Sequence, residues 1–379
     1  MLPNSISCLN KCVTKIMVGL LVGLFMANML TYAQSSLDKD KAKQLGIDAL
    51  KLMSEEQAYD KALKLLEKAQ KIDPTNGNYK YEIAYLFYLK GDYKKTINLL
   101  KKQVKNDRVA PQCYWLLGAA YDNDANSSTA KAAKVYEQGI KRFPSAGELY
   151  LELGGIAYRD GNNDAAVNYW EEGIKNAPNF ASNYYWTAKL YCNSSEAVWG
   201  LIYGEIFMLL EPNSKRTIEM SNLIYTTLIK GVHLNDQGNG WLSYSQRARM
   251  FLLLEDSRKN KLPFQVLFEL YLSSEGDLSF NKGFTMQNMV DIRNDFVQNW
   301  FEANANELYP NALFDWQKKI KDKGFYEAYS YWILQKGNKT IFEKWVGDNK
   351  KEYHSFLQWM HDNPFDVDQI NVFYRLQYY

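Results

Sequence analysis

The histidines are the first residues to weigh as chemical groups, because they are few and two of them share a predicted helix. The 379-residue chain has three of them, at positions 233, 354 and 361. His354 and His361 are seven residues apart, with Glu352 and Asp362 close by. Zinc sites usually take three or four protein ligands at closer spacing. We therefore expect surface histidines, with no metal and no other cofactor.

Motifs of nucleophilic or phosphate-binding chemistry are missing from the sequence. It contains no Gly-x-Ser-x-Gly elbow, no His-Glu-x-x-His helix and no Gly-x-x-x-x-Gly-Lys loop. Paired carboxylates such as Glu55-Glu56 and Glu171-Glu172 fall on predicted polar helix faces, where a solvated role is the default. The sequence therefore predicts a protein that is not an enzyme and has no catalytic residues.

The N-terminus has the pattern of a secretory signal. Lys11 and Lys15 precede an apolar run at 16–30, and Thr31-Tyr32-Ala33 offers small residues for a signal peptidase. We expect residues 1–33 to be a signal peptide cleaved near Ala33, which places the protein in the periplasm or cell envelope. An uncleaved anchor is the alternative, although the run is shorter than the roughly 18 residues of a spanning helix.

Cysteine positions and net charge bear on whether the protein has a disulfide and whether it binds nucleic acid. Cys8 and Cys12 leave with the signal, so the mature chain keeps Cys113 and Cys192. Both lie in predicted helices, where buried thiols are the expected role and a disulfide is the alternative. Removal of two lysines leaves 43 basic against 43 acidic residues. This balance argues against nucleic acid as a partner.

Three prolines recur with a period of 34 residues: Pro144, Pro178 and Pro212. Before the last of them, four residues have the i, i+3, i+4, i+7 spacing of one helix face: Tyr184, Thr187, Ala188 and Tyr191. A fixed period of 20–50 residues is typical of stacked repeats. Small residues at matching offsets extend the pattern to five units between 41 and 212, the first and third with longer turns.

The repeated pattern resembles the tetratricopeptide repeat family. Its most recognisable pieces are Leu117-Gly118-Ala119-Ala120-Tyr121, Gly91-Asp92-Tyr93 and Ile72-Asp73-Pro74. The resemblance covers nearly half of the chain. It implies an all-α fold in which residues 34–234 form a right-handed solenoid of about five helical hairpins, with a closing helix from Ser214 to Leu234.

The resemblance also implies a concave face, made of the first helices, that binds a protein or peptide partner. By the geometry of the family, this partner-binding groove carries nine residues: Tyr81, Tyr85, Tyr88, Trp115, Asp122, Leu151, Tyr158, Tyr185 and Lys189. Such an aromatic stripe suits a peptide or a sugar ring. The alternative is that several of these side chains pack against a neighbouring unit. Leu116 and Tyr85 stand where chaperone-docking members carry cations and amides, so binding of a terminal carboxylate is not expected there.

The repeat pattern ends at Pro212, and a polar cluster at 235–240 predicts a boundary before a second region at 241–379. Helical patterns are predicted there at 243–257, 262–274, 284–307, 311–322, 325–336, 340–346 and 350–361. The region holds six of the ten tryptophans: Trp241, Trp300, Trp316, Trp332, Trp345 and Trp359. They predict an aromatic-rich helical core. The tail at 365–379 is expected either to dock as an extended segment or to serve as a recognition tag.

Together these features predict an exported, non-catalytic scaffold for a protein or peptide, as part of an envelope assembly. Membrane association is expected through a partner only, and the oligomeric state is left open. The alternative is glycan-binding or hydrolytic activity in 241–379, with the repeats as a mount. A membrane-tethered adaptor with an uncleaved signal is a third interpretation.

Overall fold

The computed structural model describes residues 36–236, 239–254, 262–273, 278–279, 284–368 and 371–378. The predicted signal peptide lies outside these residues. The chain divides into two compact units, an N-terminal unit that ends at Val135 and a C-terminal unit that begins at Tyr136. Each unit has a hydrophobic core of its own.

The N-terminal unit is built of antiparallel helix pairs. Its helices are α1 at 36–54, α2 Tyr59–Ile72, α3 Gly77–Leu89, α4 Tyr93–Gln103 and α5 Gln112–Asn123, and α6 Thr129–Arg142 crosses the boundary between the units. A core of small and branched side chains fills the space between the first helices, including Ala62, Leu66 and Ile83. The predicted pairing of helices in the first units is confirmed.

The turns inside the second and fourth repeats are each formed by a glycine followed by a capping side chain. Gly91 and Gly161 occupy the same place in the second and fourth repeats, with φ of 75° and 77°. This left-handed conformation favours glycine because it has no β-carbon. Asp92 then accepts a hydrogen bond from the backbone N–H of Lys95 at 3.1 Å and so caps α4. The predicted turn is therefore a helix stop followed at once by a helix start.

The C-terminal unit continues the repeats with α7 Gly147–Arg159, α8 Asn163–Asn176, α9 Ala181–Cys192 and α10 Ala197–Leu210. Small residues let the paired helices approach closely, as predicted. A β-carbon added to Gly154 would lie 2.2 Å from Nε1 of Trp170, and one on Gly200 would lie 2.4 Å from the backbone nitrogen of Cys192. Nothing larger fits at either position without a shift of the neighbouring helix.

The predicted closing helix is α11 Lys215–Lys230, which is shorter than expected. It ends at Gly231, and the next residues form β1 Val232–Leu234, which pairs antiparallel with β2 Asn239–Leu242. A third strand, β3 Leu278–Ser279, adds to β2. The β-branched Val232 and the turn cluster after it favour a hairpin over further helix. This small sheet was not predicted from the sequence.

The remaining helices follow the predicted pattern with changed bounds. They are α12 Gln246–Leu254, α13 Phe264–Leu272, α14 Met286–Glu302, α15 Ala305–Leu308, α16 Ala312–Asp322, α17 Tyr326–Leu334, α18 Lys339–Asp348 and α19 Lys350–Asp362. The single helix predicted at 284–307 is two helices, and the last two helices run one or two residues past their predicted ends. A short 3₁₀ turn, Arg375–Tyr378, follows in the tail. The predicted all-α fold, with helix-pair repeats followed by an aromatic-rich helical region, is confirmed.

One aromatic core runs through the C-terminal unit and includes residues on both sides of the polar cluster at 235–240. The ring of Trp199 on α10 stacks on that of Phe264 on α13 at 5.0 Å between centroids. Of the six tryptophans after residue 240, Trp300, Trp316, Trp332 and Trp345 are buried, whereas Trp241 is 56% exposed. Most of the aromatic density therefore fills a core.

Two carboxylates lie within this core, each paired with an arginine. Glu205 on α10 accepts two bonds from Arg293 on α14, one of them 2.9 Å long. Glu171 on α8 is only 1% exposed and accepts bonds from Arg375 in the tail. The expected solvated role of Glu171 is therefore wrong, because the tail covers that face of α8.

Candidate partner-binding surface

In the N-terminal unit, the predicted groove tyrosines form a ladder along α3. Tyr81, Tyr85 and Tyr88 follow the i, i+4, i+7 spacing that places side chains above one another on a helix. Their ring centroids are 6.3 and 6.4 Å apart, and the planes are tilted by 2° and 12°. All three are half-buried. The rings form a continuous strip that is partly open to solvent.

The predicted residues on α5 lie in the same unit and are also half-buried. These are Trp115 and Asp122. Asn123 at the end of α5 donates a hydrogen bond to the hydroxyl of Tyr88 at 3.2 Å. This bond ties the end of the ladder to the next repeat.

In the C-terminal unit, an aromatic cluster links the fourth and fifth repeats. Tyr158 on α7 is 48% exposed, and its ring centroid lies 6.1 Å from that of Trp170 and 6.3 Å from that of Trp186. Trp170 is buried beneath, and its indole N–H donates to the carbonyl of Leu151 at 3.2 Å. We call Leu151, Tyr158, Trp186 and Lys189 the aromatic surface.

Lys189 borders this surface and is held in place by two kinds of contact. Its Nζ lies 5.2 Å from the ring centroid of Trp186 and donates to Glu219 on α11 at 2.7 Å. Burial opposes the charge on Lys189, but the interactions with Glu219 and with the Tyr185 hydroxyl together outweigh it and raise the pKa of the ammonium. The same bond lowers the pKa of the Glu219 carboxyl. Both groups therefore keep their charges.

Tyr185 was expected on the open face, but it is 5% exposed. The reason is α11, which covers it. The Tyr185 hydroxyl donates to Glu219 at 2.6 Å, and the guanidinium of Arg216 lies 5.1 Å from the ring centroid. The last repeat is thus partly closed by α11, while Tyr158 and Trp186 remain accessible.

The groove prediction did not include Trp186, Trp170 or Glu219. Trp186 precedes Lys189 by three residues, so the i, i+3 spacing of one helix face could have identified it. Trp170 belongs to a second helix, and only its contact with Gly154 brings it beneath the surface. Glu219 carries no local signal, because its role depends on how α11 packs against α9.

In the part of the chain that the structure describes, no group of three or more His, Cys, Asp or Glu side chains is placed to hold a metal ion. None of the described helices combines the length and the apolar sequence that a membrane span requires. A cavity of about 300 Å³ is lined by Asp291, Glu327 and Lys321, among others. Its two carboxylates accept hydrogen bonds, from Gln287 and from the indole of Trp345.

Both described cysteines are free and buried. Burial raises the pKa of the Cys113 thiol to about 11 and that of Cys192 to about 12. A thiol of this kind stays protonated near neutral pH and is a poor nucleophile.

The family comparison matches part of the chain. Residues 117–181 match the model of a tetratricopeptide repeat family. This segment contains α6, α7 and α8 in full, and therefore the close contact between Gly154 and Trp170.

Solved structures with similar folds align over about half of the chain. A structure of MamA has 21% identity, covers 42% of this chain and 92% of that chain, and gives a TM-score of 0.34. TTC0263, a thermophilic tetratricopeptide repeat protein of Thermus thermophilus, has 18% identity. It covers 50% of this chain and 99% of its own length, with a TM-score of 0.39. YrrB, described as a tetratricopeptide repeat protein with an unusual peptide-binding site, has 16% identity. It covers 49% of this chain and 94% of its own length, with a TM-score of 0.32. Identity and TM-score are too low to transfer any property of these proteins.

Proposed function

Because this chain contains tetratricopeptide repeats, we propose that it is a non-catalytic scaffold that binds a protein or peptide partner in the cell envelope. The observation that carries the proposal is the aromatic surface. Tyr158 and Trp186 come from the first helices of neighbouring repeats, and a partner laid across them meets both repeats at once.

The chemistry of the aromatic surface suits a peptide. Tyrosine and tryptophan supply large contact areas at low conformational cost, and they are enriched among the residues that dominate binding energy. Lys189 adds a fixed positive charge at one border, where it can pair with a carbonyl or carboxylate of the ligand. Tyr158 is the residue whose exposed ring is free to be covered.

A non-catalytic role is supported by the hydrogen bonds of the buried carboxylates in the C-terminal unit. The most deeply buried carboxylates, Glu171 and Glu205, are satisfied by arginines and tyrosines within the core. Groups held in this way stabilise a fold and have no open side for a substrate. The glycan-binding or hydrolytic alternative would use exposed groups such as Trp241, whose ring stacks on His233 at 5.2 Å.

The experiment is affinity capture with the mature protein from its own envelope fraction. Tyr158→Ala should weaken the affinity for the partner about thirtyfold and reduce its recovery accordingly, since truncating an aromatic residue that dominates an interface costs about 2 kcal/mol. Trp241→Ala is the matched control, because it removes an exposed aromatic ring that lies after the last repeat and outside the aromatic surface. Loss of the partner with Trp241→Ala but not with Tyr158→Ala would contradict the proposal and favour the alternative.

A further inference from the structure

The described part of the N-terminal unit contains a large cavity. It has a volume of about 980 Å³ and lies between the ends of α2 and α4 and the beginnings of α3 and α5. Ligand sites typically measure roughly 300–1,000 Å³. Tyr81 and Ile83 contribute apolar wall, and Asn106 contributes an amide. The cavity is separate from the aromatic surface, which belongs to the other unit.

The charged residues that line this cavity are mostly basic. Lys80 comes from α3, Lys102 from α4 and Arg108 from the loop after α4. All three side chains are exposed enough to reach a ligand. Of the described lining residues, Glu82 is the single acid. Three cations from three different elements therefore converge on one concave site.

The surrounding unit carries the same sign of charge. Residues 36–135 contain 18 Lys and Arg against 13 Asp and Glu, whereas residues 136–379 contain 25 against 30. The formal neutrality of the mature chain thus conceals a basic N-terminal unit and an acidic C-terminal unit. A concave region lined by one sign of charge raises the local concentration of the opposite charge.

Glu82 does not oppose this preference strongly. Burial raises the pKa of its carboxyl, which favours the neutral acid. Glu82 is also one acid against three cations, so an incoming carboxylate meets a lining of net positive charge.

We propose that this cavity binds an acidic segment of the protein partner, with Lys80, Lys102 and Arg108 pairing with its carboxylates. Tyr81 packs against the backbone of that segment. The inference rests on the proposed scaffold function and adds a second contact site with a defined ligand chemistry.

The test uses the mature chain and two fluorescent eight-residue peptides with blocked ends. One alternates Glu with Ser and Gly, and the other carries Lys at the same positions. Anisotropy titrations at low and high salt should show binding of the acidic peptide alone, weakened by salt because exposed charge pairs are screened. Lys102→Gln combined with Arg108→Gln should weaken it about tenfold, as expected for losing two exposed charge-assisted hydrogen bonds.

The matched control is Lys64→Gln with Lys68→Gln, which removes the same charge from exposed positions on α2 outside the cavity lining. It should change the affinity by less than about twofold, in keeping with the small worth of remote surface charge. If both double variants weaken binding of the acidic peptide equally, the attraction is non-specific and the proposed site is overturned.

A third variant decides the sign of the ligand. Glu82→Gln keeps the size of the side chain but removes any negative charge, so the acidic peptide should bind as tightly or more tightly. If the Lys peptide binds and Glu82→Gln abolishes that binding, the proposal is overturned. It is also overturned if the chain self-assembles in a salt-sensitive manner and the Lys102→Gln, Arg108→Gln double variant abolishes the assembly. If neither peptide binds while capture still depends on Tyr158, the cavity inference fails and the scaffold function stands.

Discussion

The guanidinium of Arg375 donates to both carboxylate oxygens of Glu171, at 3.2 and 3.1 Å. The two residues are 204 positions apart, so this pair fastens the C-terminal tail to the second helix of the fourth repeat. Tyr203 on α10 joins them, since its hydroxyl donates to Glu171 at 2.7 Å and accepts from the backbone N–H of Arg375 at 2.8 Å. Phe373 is fully buried beside them. Of the two expectations for the tail, docking is the one observed.

Removal of one partner of this pair should destabilise the C-terminal unit. Arg375→Met leaves a buried carboxylate without its cation, which typically costs roughly 3–5 kcal/mol. Chemical unfolding followed by circular dichroism measures the loss. The double variant Glu171→Met with Arg375→Met should recover most of it, because no buried charge remains. A double variant no more stable than the single one would show that the unpaired carboxylate is not the cause of the loss.

The same variant should acquire a distinct pH dependence. Burial already raises the pKa of Glu171 above its ordinary 4.5, although Arg375 and Tyr203 offset this. Without Arg375 the pKa rises further in the folded chain. The folded state then holds a proton that the unfolded state has lost, so stability falls as pH rises from about 4.5. Arg375→Met should therefore lose less stability at pH 5 than at pH 8, relative to the unmodified chain.

Two adjacent glycines on α7 provide a sharp test of the repeat packing. Gly154→Ala should destabilise by about 1–3 kcal/mol, because the new β-carbon meets Trp170 at 2.2 Å. At Gly155 the nearest atom is the end of the Arg159 side chain at 3.9 Å, so Gly155→Ala should stabilise by roughly 0.5–1 kcal/mol. Melting temperatures distinguish the two. Similar shifts for both variants would contradict the assigned register.

Glu269 should make the stability of the unmodified chain depend on pH. Burial raises the pKa of its carboxyl to about 7, although the backbone N–H groups of Tyr244 and Ser245 donate to it. Between about 4.5 and 7 the folded chain binds one more proton than the unfolded chain. Stability should therefore fall by up to about 3 kcal/mol as pH rises through this window. Glu269→Gln should flatten the dependence of the unfolding free energy on pH in this window. An unchanged slope would show that another group causes the pH dependence.

Cys113 and Cys192, the two thiols of residues 34–379, should react only after unfolding. Their raised pKa values and burial predict slow modification of Cys113 and Cys192 by a maleimide at about pH 7.5. In denaturant without reductant, two thiols per chain should react at once. If no thiol reacts with the maleimide under those conditions, Cys113 and Cys192 form a disulfide, which would contradict the free cysteines of the structure.

Export remains a prediction of the N-terminal sequence. Sequencing of the mature protein from an envelope fraction should give a first residue of Gln34, since Thr31-Tyr32-Ala33 precedes it. A mature chain that retains Met1 would favour the tethered adaptor. Recovery in the cytosol with an intact N-terminus would contradict both interpretations.

The helix pairs could be predicted because their determinants are local. The small residues at the pair interface recur with the period of the sequence, and the turn glycine with its neighbouring cap recurs in the second and fourth repeats. Gly91 and Asp92 illustrate this, since both act within four residues. The same holds for the tyrosine ladder, where the spacing along α3 determines which rings stack.

The parts that could not be predicted depend on distant segments. Tyr185 fits the groove pattern, yet α11 covers it through Glu219, 34 positions later. The strands are only two to four residues long, which is too short for an alternating pattern to stand out. Lys102 and Arg108 have no motif of their own and become a site only when folding brings them around one cavity.

Helix α10 is buried without interruption from Val198 to Leu209. One side completes the fifth repeat with α9, and the other belongs to the core that contains Phe264 and Arg293. The terminal repeat of an array normally needs a polar outer face. The fifth pair has no such face, so it cannot stand as the end of the array without the helices that follow it. A fragment cut at 234 would expose a helix of nearly continuous apolar sequence and should aggregate.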